Sequence, residues 1–113
     1  MVFKLMCSSE GGNSMSEVVV IEFDVPEALV IYNAVNRLLG VDPSSGSGDW
    51  PAPLTSHVAG ESGDRLIVVE VWESRTVQEE FMRSRLGPAF QEANVPKPTR
   101  VEWFTLAGEM HRR

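Results

Sequence analysis

Residues 65–72 read Arg65-Leu66-Ile67-Val68-Val69-Glu70-Val71-Trp72, and the reading of this run decides the fold. It is β-branched and aromatic, follows a Gly63-Asp64 turn signal, and reads as a strand. One parity, Ile67, Val69 and Val71, is uniformly β-branched and suits a face covered by helices. The other, Leu66, Val68, Glu70 and Trp72, mixes aliphatics with a carboxylate and an indole. An open antiparallel face alternates cleanly to polar residues. This one is too apolar for water and too polar for a plain core. It suits a semi-polar cavity, covered by the same face of a second copy in an isologous contact.

Upstream, Thr55–Gly60 is a shorter, weaker strand, and Glu61-Ser62-Gly63-Asp64 is a turn, so the two strands form a hairpin. If 61–64 is the turn, position 60 faces 65, His57 lies opposite Val68, and Thr55 lies opposite Glu70. His57, Glu70 and Trp72 then share one wall, with Val68 beside them. One reading is a proton-transfer pair next to a ring that stacks a planar ligand. The other is a hydrogen-bonded His–Glu pair that stabilises the hydrophilic part of a dimer core.

Farther out, Glu17–Val25 (EVVVIEFDV) is a strand. Pro26 opens a helix over 26–39, with Glu27 complementing its dipole and Gly40 as C-cap. Ala28, Ile31, Tyr32, Val35, Leu38 and Leu39 form its apolar stripe. Val41–Pro53 is a long Gly/Ser/Pro-rich loop carrying Trp50, either a clip on the domain or a lid over a pocket. On the other side, Ser74 caps a second helix bearing Val77, Phe81, Leu86, Ala89, Phe90 and Ala93, with a kink or break at Gly87-Pro88. Thr99–Leu106 is the last strand, with Trp103 adding to the binding wall.

The order is βαββαβ. That predicts an α+β, ferredoxin-like domain with a four-stranded antiparallel sheet and both helices on one face. It spans 16–108, after a disordered, linker-like extension over 1–15 and before a 109–113 tail.

The chain has 113 residues, enough for one domain. A net charge of −6 gives nucleic acid and anionic membrane no electrostatic reason to bind. No apolar run reaches the roughly 20 residues that span a bilayer. Cys7 is the sole cysteine, which excludes an intrachain disulfide and fits a cytoplasmic protein. His57 and His111 lack metal-ligand spacing, and no glycine loop or nucleophile elbow is present, so neither metal nor cofactor is expected.

The segment LIVVEVWESRTVQEEF (66–81), with Leu86-Gly87-Pro88-Ala89-Phe90, resembles the antibiotic biosynthesis monooxygenase-like families of the dimeric α/β barrel superfamily. The element order matches across 16–107. The resemblance implies a homodimer whose sheets form a barrel. It also implies an activity such as cofactor-independent oxygenation of a small aromatic or polyketide-like molecule, the alternative being a non-catalytic ligand-binding or structural dimer. Trp72 matches the strand-three tryptophan that lines the cavity in such proteins. The asparagine that often accompanies it has no counterpart, since the first strand has none and the position four before Trp72 is Val68. The helix histidine that holds haem in the haem-degrading branch is absent too. On this reading Trp72, Val68, Trp50 and Trp103 bind a substrate, and His57 with Glu70 handles its protons.

Overall fold

The computed structural model describes residues 15–112. The expected disordered extension, apart from Met15, lies outside the described residues, as does Cys7. The chain runs β1 (Glu17–Asp24), α1 (Ala28–Leu39), β2 (Val41–Asp42), β3 (Ser47–Gly48), β4 (Leu54–Ser62), β5 (Arg65–Trp72), α2 (Arg75–Phe81), a π-helical segment (Met82–Leu86), α3 (Gly87–Glu92) and β6 (Arg100–Thr105). Strands β4-β5-β1-β6 make one antiparallel four-stranded sheet, and β2 with β3 makes a small separate ribbon. This is the ferredoxin-like α+β arrangement that the element order predicts.

The two faces of the sheet are the reverse of expectation. Leu66, Val68, Glu70 and Trp72 are buried beneath the helices, in one cluster with Val19, Ile21, Phe23, Val35, Phe81 and Leu86. The uniformly β-branched parity faces away from the helices. There Val71 is buried, Ile67 and Val69 are half-buried, Val58 is 60% exposed and Phe104 is 48% exposed. The reason is side-chain volume. Leucine and tryptophan fill the space below a helix layer, whereas valines give a flat, shallow surface.

The hairpin register also differs. Ser62 pairs with Arg65, so the loop is the two residues Gly63 and Asp64, not the four residues 61–64. Gly63 has φ 60° and Asp64 stays out of the left-handed region, as a II′ hairpin turn requires. His57 consequently faces Glu70 directly instead of Val68. The slip is two residues, so each side chain keeps its face. At the far end of β4 the register jumps between Leu54 and Ser56. Thr55 is the extra residue of a β-bulge, held by its Oγ1 donating to the Val71 carbonyl at 3.1 Å. The bulge restores Leu54 to the helix side, opposite Trp72.

Helix α1 begins at Ala28, two residues later than the sequence suggests. Pro26 and Glu27 form a turn, with Glu27 at φ 53° in the left-handed region, which costs about 1–2 kcal/mol in a residue with a Cβ. Gly40 caps the other end at φ 77°, as expected. Leu38, assigned to the apolar stripe, is exposed. Ser74 caps α2 by accepting from the Val77 N–H. The expected break at Gly87-Pro88 is instead a widened turn. Pro88 has no N–H and would clash with the Ser84 carbonyl in a regular helix. Five π-helical residues precede it, and the Gly87 N–H reaches back to the Met82 carbonyl. A Cβ at Gly87 would sit 2.9 Å from that carbonyl oxygen, so the turn needs glycine.

On the open face, Glu22 of β1 accepts from Arg65 of β5 at 2.7 Å and from Arg100 of β6 at 2.6 Å, stitching three strands. The hydrogen bond from Arg100, foremost, holds the Glu22 carboxyl below its ordinary range against the cost of desolvation, and the charge of Arg65 adds to it.

Candidate functional site

Between the sheet and α1 lies a cavity of about 70 Å³. Its walls are mainly apolar, including Ile21, Phe23, Ile31, Val35, Leu66 and Val68. Into this lining project Tyr32 and Asn36 from α1, His57 from β4 and Glu70 from β5. The direct pairing of His57 with Glu70 puts Nδ1 2.7 Å from Oε2, with both side chains largely buried. Tyr32 Oη lies 2.6 Å from His57 Nε2. From behind, the Trp72 indole N–H donates to Glu70 Oε1 at 3.0 Å. With Glu70 ionised, His57 Nδ1–H donates to it, and Nε2 is left to accept from the Tyr32 hydroxyl. The result is one continuous chain, Trp72–Glu70–His57–Tyr32. Both Glu70 oxygens are engaged.

The chain has the logic of a hydroxyl, a base and an orienting carboxylate. Burial raises the Tyr32 hydroxyl above its ordinary value; the nearby Asn36 amide opposes this, and the Glu70 charge adds to it. Tyr32 therefore holds its proton at neutral pH, with its hydroxyl directed at His57 Nε2.

A long strap, residues 41–53, closes one side. The Asp42 carboxylate accepts from the Ser44 N–H and both the Ser44 and Ser45 hydroxyls, bonds that hold its carboxyl below the ordinary range, the Ser44 hydroxyl foremost. Gly48 sits at φ 108° against Gly40, where a Cβ would come within 2.4 Å of the Gly40 carbonyl oxygen. Arg85, presented by the π-helical segment, donates to the carbonyls of Leu39 and Asp49, both at 2.9 Å, and so ties the strap to the end of α1. Trp50 is pinned by its indole N–H to the Ser47 carbonyl at 2.9 Å and leans on His57, ring centroids 5.1 Å apart. Outside it, Pro43, Gly46, Thr55 and Ser56 line a second, open cleft of about 370 Å³. Trp50, Leu54 and His57 border both spaces. They form the partition between them.

The structure brings His57, Glu70, Val68 and Trp50 together around one cavity. Trp72 is fully buried and off the cavity lining, with its ring against Phe81 at 5.5 Å. It orients Glu70 and has no face free for a ligand. Trp103 lies elsewhere, in a cleft with Gln78, Met82 and Val101, its ring under the Arg75 guanidinium. Sequence reasoning missed Tyr32 and Asn36, which sit in the apolar stripe of α1. A hydroxyl and an amide one turn apart on a core-facing helix stripe were the available signal, since buried polar groups need partners. Among the described residues, no group of three or more His, Cys, Asp or Glu could hold a metal ion. No described helix is long and apolar enough to cross a membrane.

Fold and site together define a ferredoxin-like domain with a hydrogen-bonded polar chain beside an apolar cavity under its helices. The solved structures similar to it include two named as monooxygenases. A protein of Chloroflexus aurantiacus J-10-fl, provisionally named an antibiotic biosynthesis monooxygenase, matches with a TM-score of 0.58 at 9% identity, covering 85% of this chain and 97% of that one. A monooxygenase of Streptomyces coelicolor, solved in complex with nanaomycin D, gives 0.56 at 17% identity, covering 88% and 94%. A conserved protein of Methanosarcina mazei Go1 gives 0.59 at 12% identity, covering 82% and 94%. No family model and no curated protein matches the chain. The likeness is one of fold.

Proposed function

We propose that this protein is a cofactor-independent monooxygenase-like enzyme acting on a small aromatic or polyketide-like molecule. The observation that carries the proposal is the Tyr32–His57–Glu70 chain set in an apolar cavity. A buried charge with its hydrogen-bonded polar partners seldom stabilises a fold better than well-packed apolar residues would. Its presence in an otherwise apolar wall therefore favours a role in proton transfer. The fold likeness to monooxygenases supports the same reading.

His57, oriented by Glu70, accepts a proton from a bound phenol or activated C–H, directly or through Tyr32. The resulting electron-rich anion is the reductant for dioxygen. One oxygen atom ends in the substrate and the other leaves as water, both electrons coming from the substrate, so no redox cofactor is consumed. The apolar lining excludes bulk water from the anion.

A cavity of about 70 Å³ is too small for a whole ring system, an apolar cavity of about 150 Å³ being the size that takes up benzene. Trp50 and the strap would swing aside to admit one, joining the cavity to the outer cleft. The open sheet face, with Val58, Val69 and Phe104, is proposed to pair with the same face of a second copy, making the barrel dimer.

The test is oxygen uptake with hydroquinones, naphthols and anthrones as substrates. Wild-type protein should turn over at least one of these, and His57→Ala should lower kcat about 100-fold or more. Binding with no turnover of any of them would favour the alternative, a small-ligand-binding protein.

A further inference from the structure

Asn36 lies one turn beyond Tyr32 on α1, 7% exposed; its amide is near enough to Tyr32 to offset part of the rise of that hydroxyl, yet its Nδ2 makes no hydrogen bond of ordinary geometry. A buried amide donor left unpaired is destabilising, and most such groups are satisfied. This one borders the cavity, beside the Tyr32–His57–Glu70 chain and among aliphatic and aromatic side chains. No lysine or arginine lines the cavity, while Glu70 does. The site therefore offers a neutral donor near a negative charge. A carboxylate or phosphate ligand would meet repulsion from Glu70 and find no cation to offset it. A neutral carbonyl oxygen meets no such penalty and would satisfy the unpaired N–H.

We infer that Asn36 anchors the ligand, its Nδ2 donating to the carbonyl oxygen of a neutral ketone-type compound whose apolar body fills the cavity and extends past Trp50. This deepens the proposed function by naming the oxygen-binding residue and the charge class of the substrate, and it rests on that reading only for turnover. Asn36 is a positioning group for the proposed reaction. It holds the carbonyl so that the adjoining acidic hydrogen faces Tyr32 and His57.

The experiment compares three probes of similar size by NMR titration of the full chain: acetophenone (neutral carbonyl), cumene (the same shape without an acceptor) and benzoate (an anion). Wild type should bind acetophenone about tenfold tighter than cumene, and benzoate more weakly than either. In Asn36→Leu the preference for acetophenone should shrink to within about twofold while cumene still binds, and the melting temperature should be equal or higher, because an unsatisfied donor has been removed.

The inference is overturned if wild type shows no preference for acetophenone, if benzoate binds best, if Asn36→Leu keeps the full preference, or if that variant melts markedly lower. The two readings can fail separately. Carbonyl preference through Asn36 with no oxygen uptake sinks only the enzymatic reading; oxygen uptake with no dependence on Asn36 sinks only this one.

Discussion

At the scale of single residues, Tyr32 is the group through which pH should be felt most distinctly. Its folded-state value is raised, with burial as the leading cause. The folded protein therefore holds this proton more tightly than the unfolded chain does. The stability this confers is complete below the ordinary tyrosine value, near 10, and is lost as pH rises through the higher folded value. Urea midpoints at pH 9 and pH 11 should accordingly fall less in Tyr32→Phe than in wild type. An equal fall would mean that the hydroxyl is not held in this way. Trp72 shows what parity does and does not encode. That it shares a face with Glu70 follows from strand alternation alone. That its indole turns inward onto Phe81 depends on the helix packed above it, which parity does not encode.

At the scale of elements, the strap behaves as a small structure of its own. Gly48→Ala would place a Cβ against the Gly40 carbonyl at a φ that alanine avoids, so the β2–β3 ribbon should open. Amide exchange should quicken at Asp49, whose N–H donates to Gly40, while β1 and β5 stay protected. Unchanged exchange at Asp49 would mean that the ribbon does not hold the strap. The elements themselves were largely legible in the sequence, because alternation, the Ser74 cap and the Gly40 cap are local signals. The hairpin register was not. A four-residue and a two-residue turn both suit Glu61-Ser62-Gly63-Asp64, and only the favoured twist of a II′ loop selects the shorter one. The same two-residue error left His57 on the face that carries Glu70, and so the two still come together. The assignment of faces failed for a different reason. It weighed the polarity of Glu70 above the volume of Leu66 and Trp72, and volume decided which parity lies under the helices.

At the scale of the whole molecule, the side away from the helices carries Val58, Val69, Ile67 and Phe104 in a shallow apolar surface, with the Glu22–Arg65–Arg100 cluster at one end. Pairing through this face predicts about twice the 12.5 kDa chain mass in solution. Val69→Asp, which places a charge near its centre, should give a folded monomer by light scattering. A wild-type monomer at micromolar concentration would remove the dimer. Such a dimer would keep association and the cavity on opposite sides of one sheet. The bulge at Thr55 divides labour in a similar way along β4. Downstream of it, the tight Gly63–Asp64 turn locks His57 against Glu70; upstream, the single extra residue absorbs the mismatch before Leu54. The strap can therefore gain or lose residues over evolutionary time without rotating His57 out of place, and the mouth of the cavity can be reshaped by editing one loop while the His57–Glu70 pair is inherited intact.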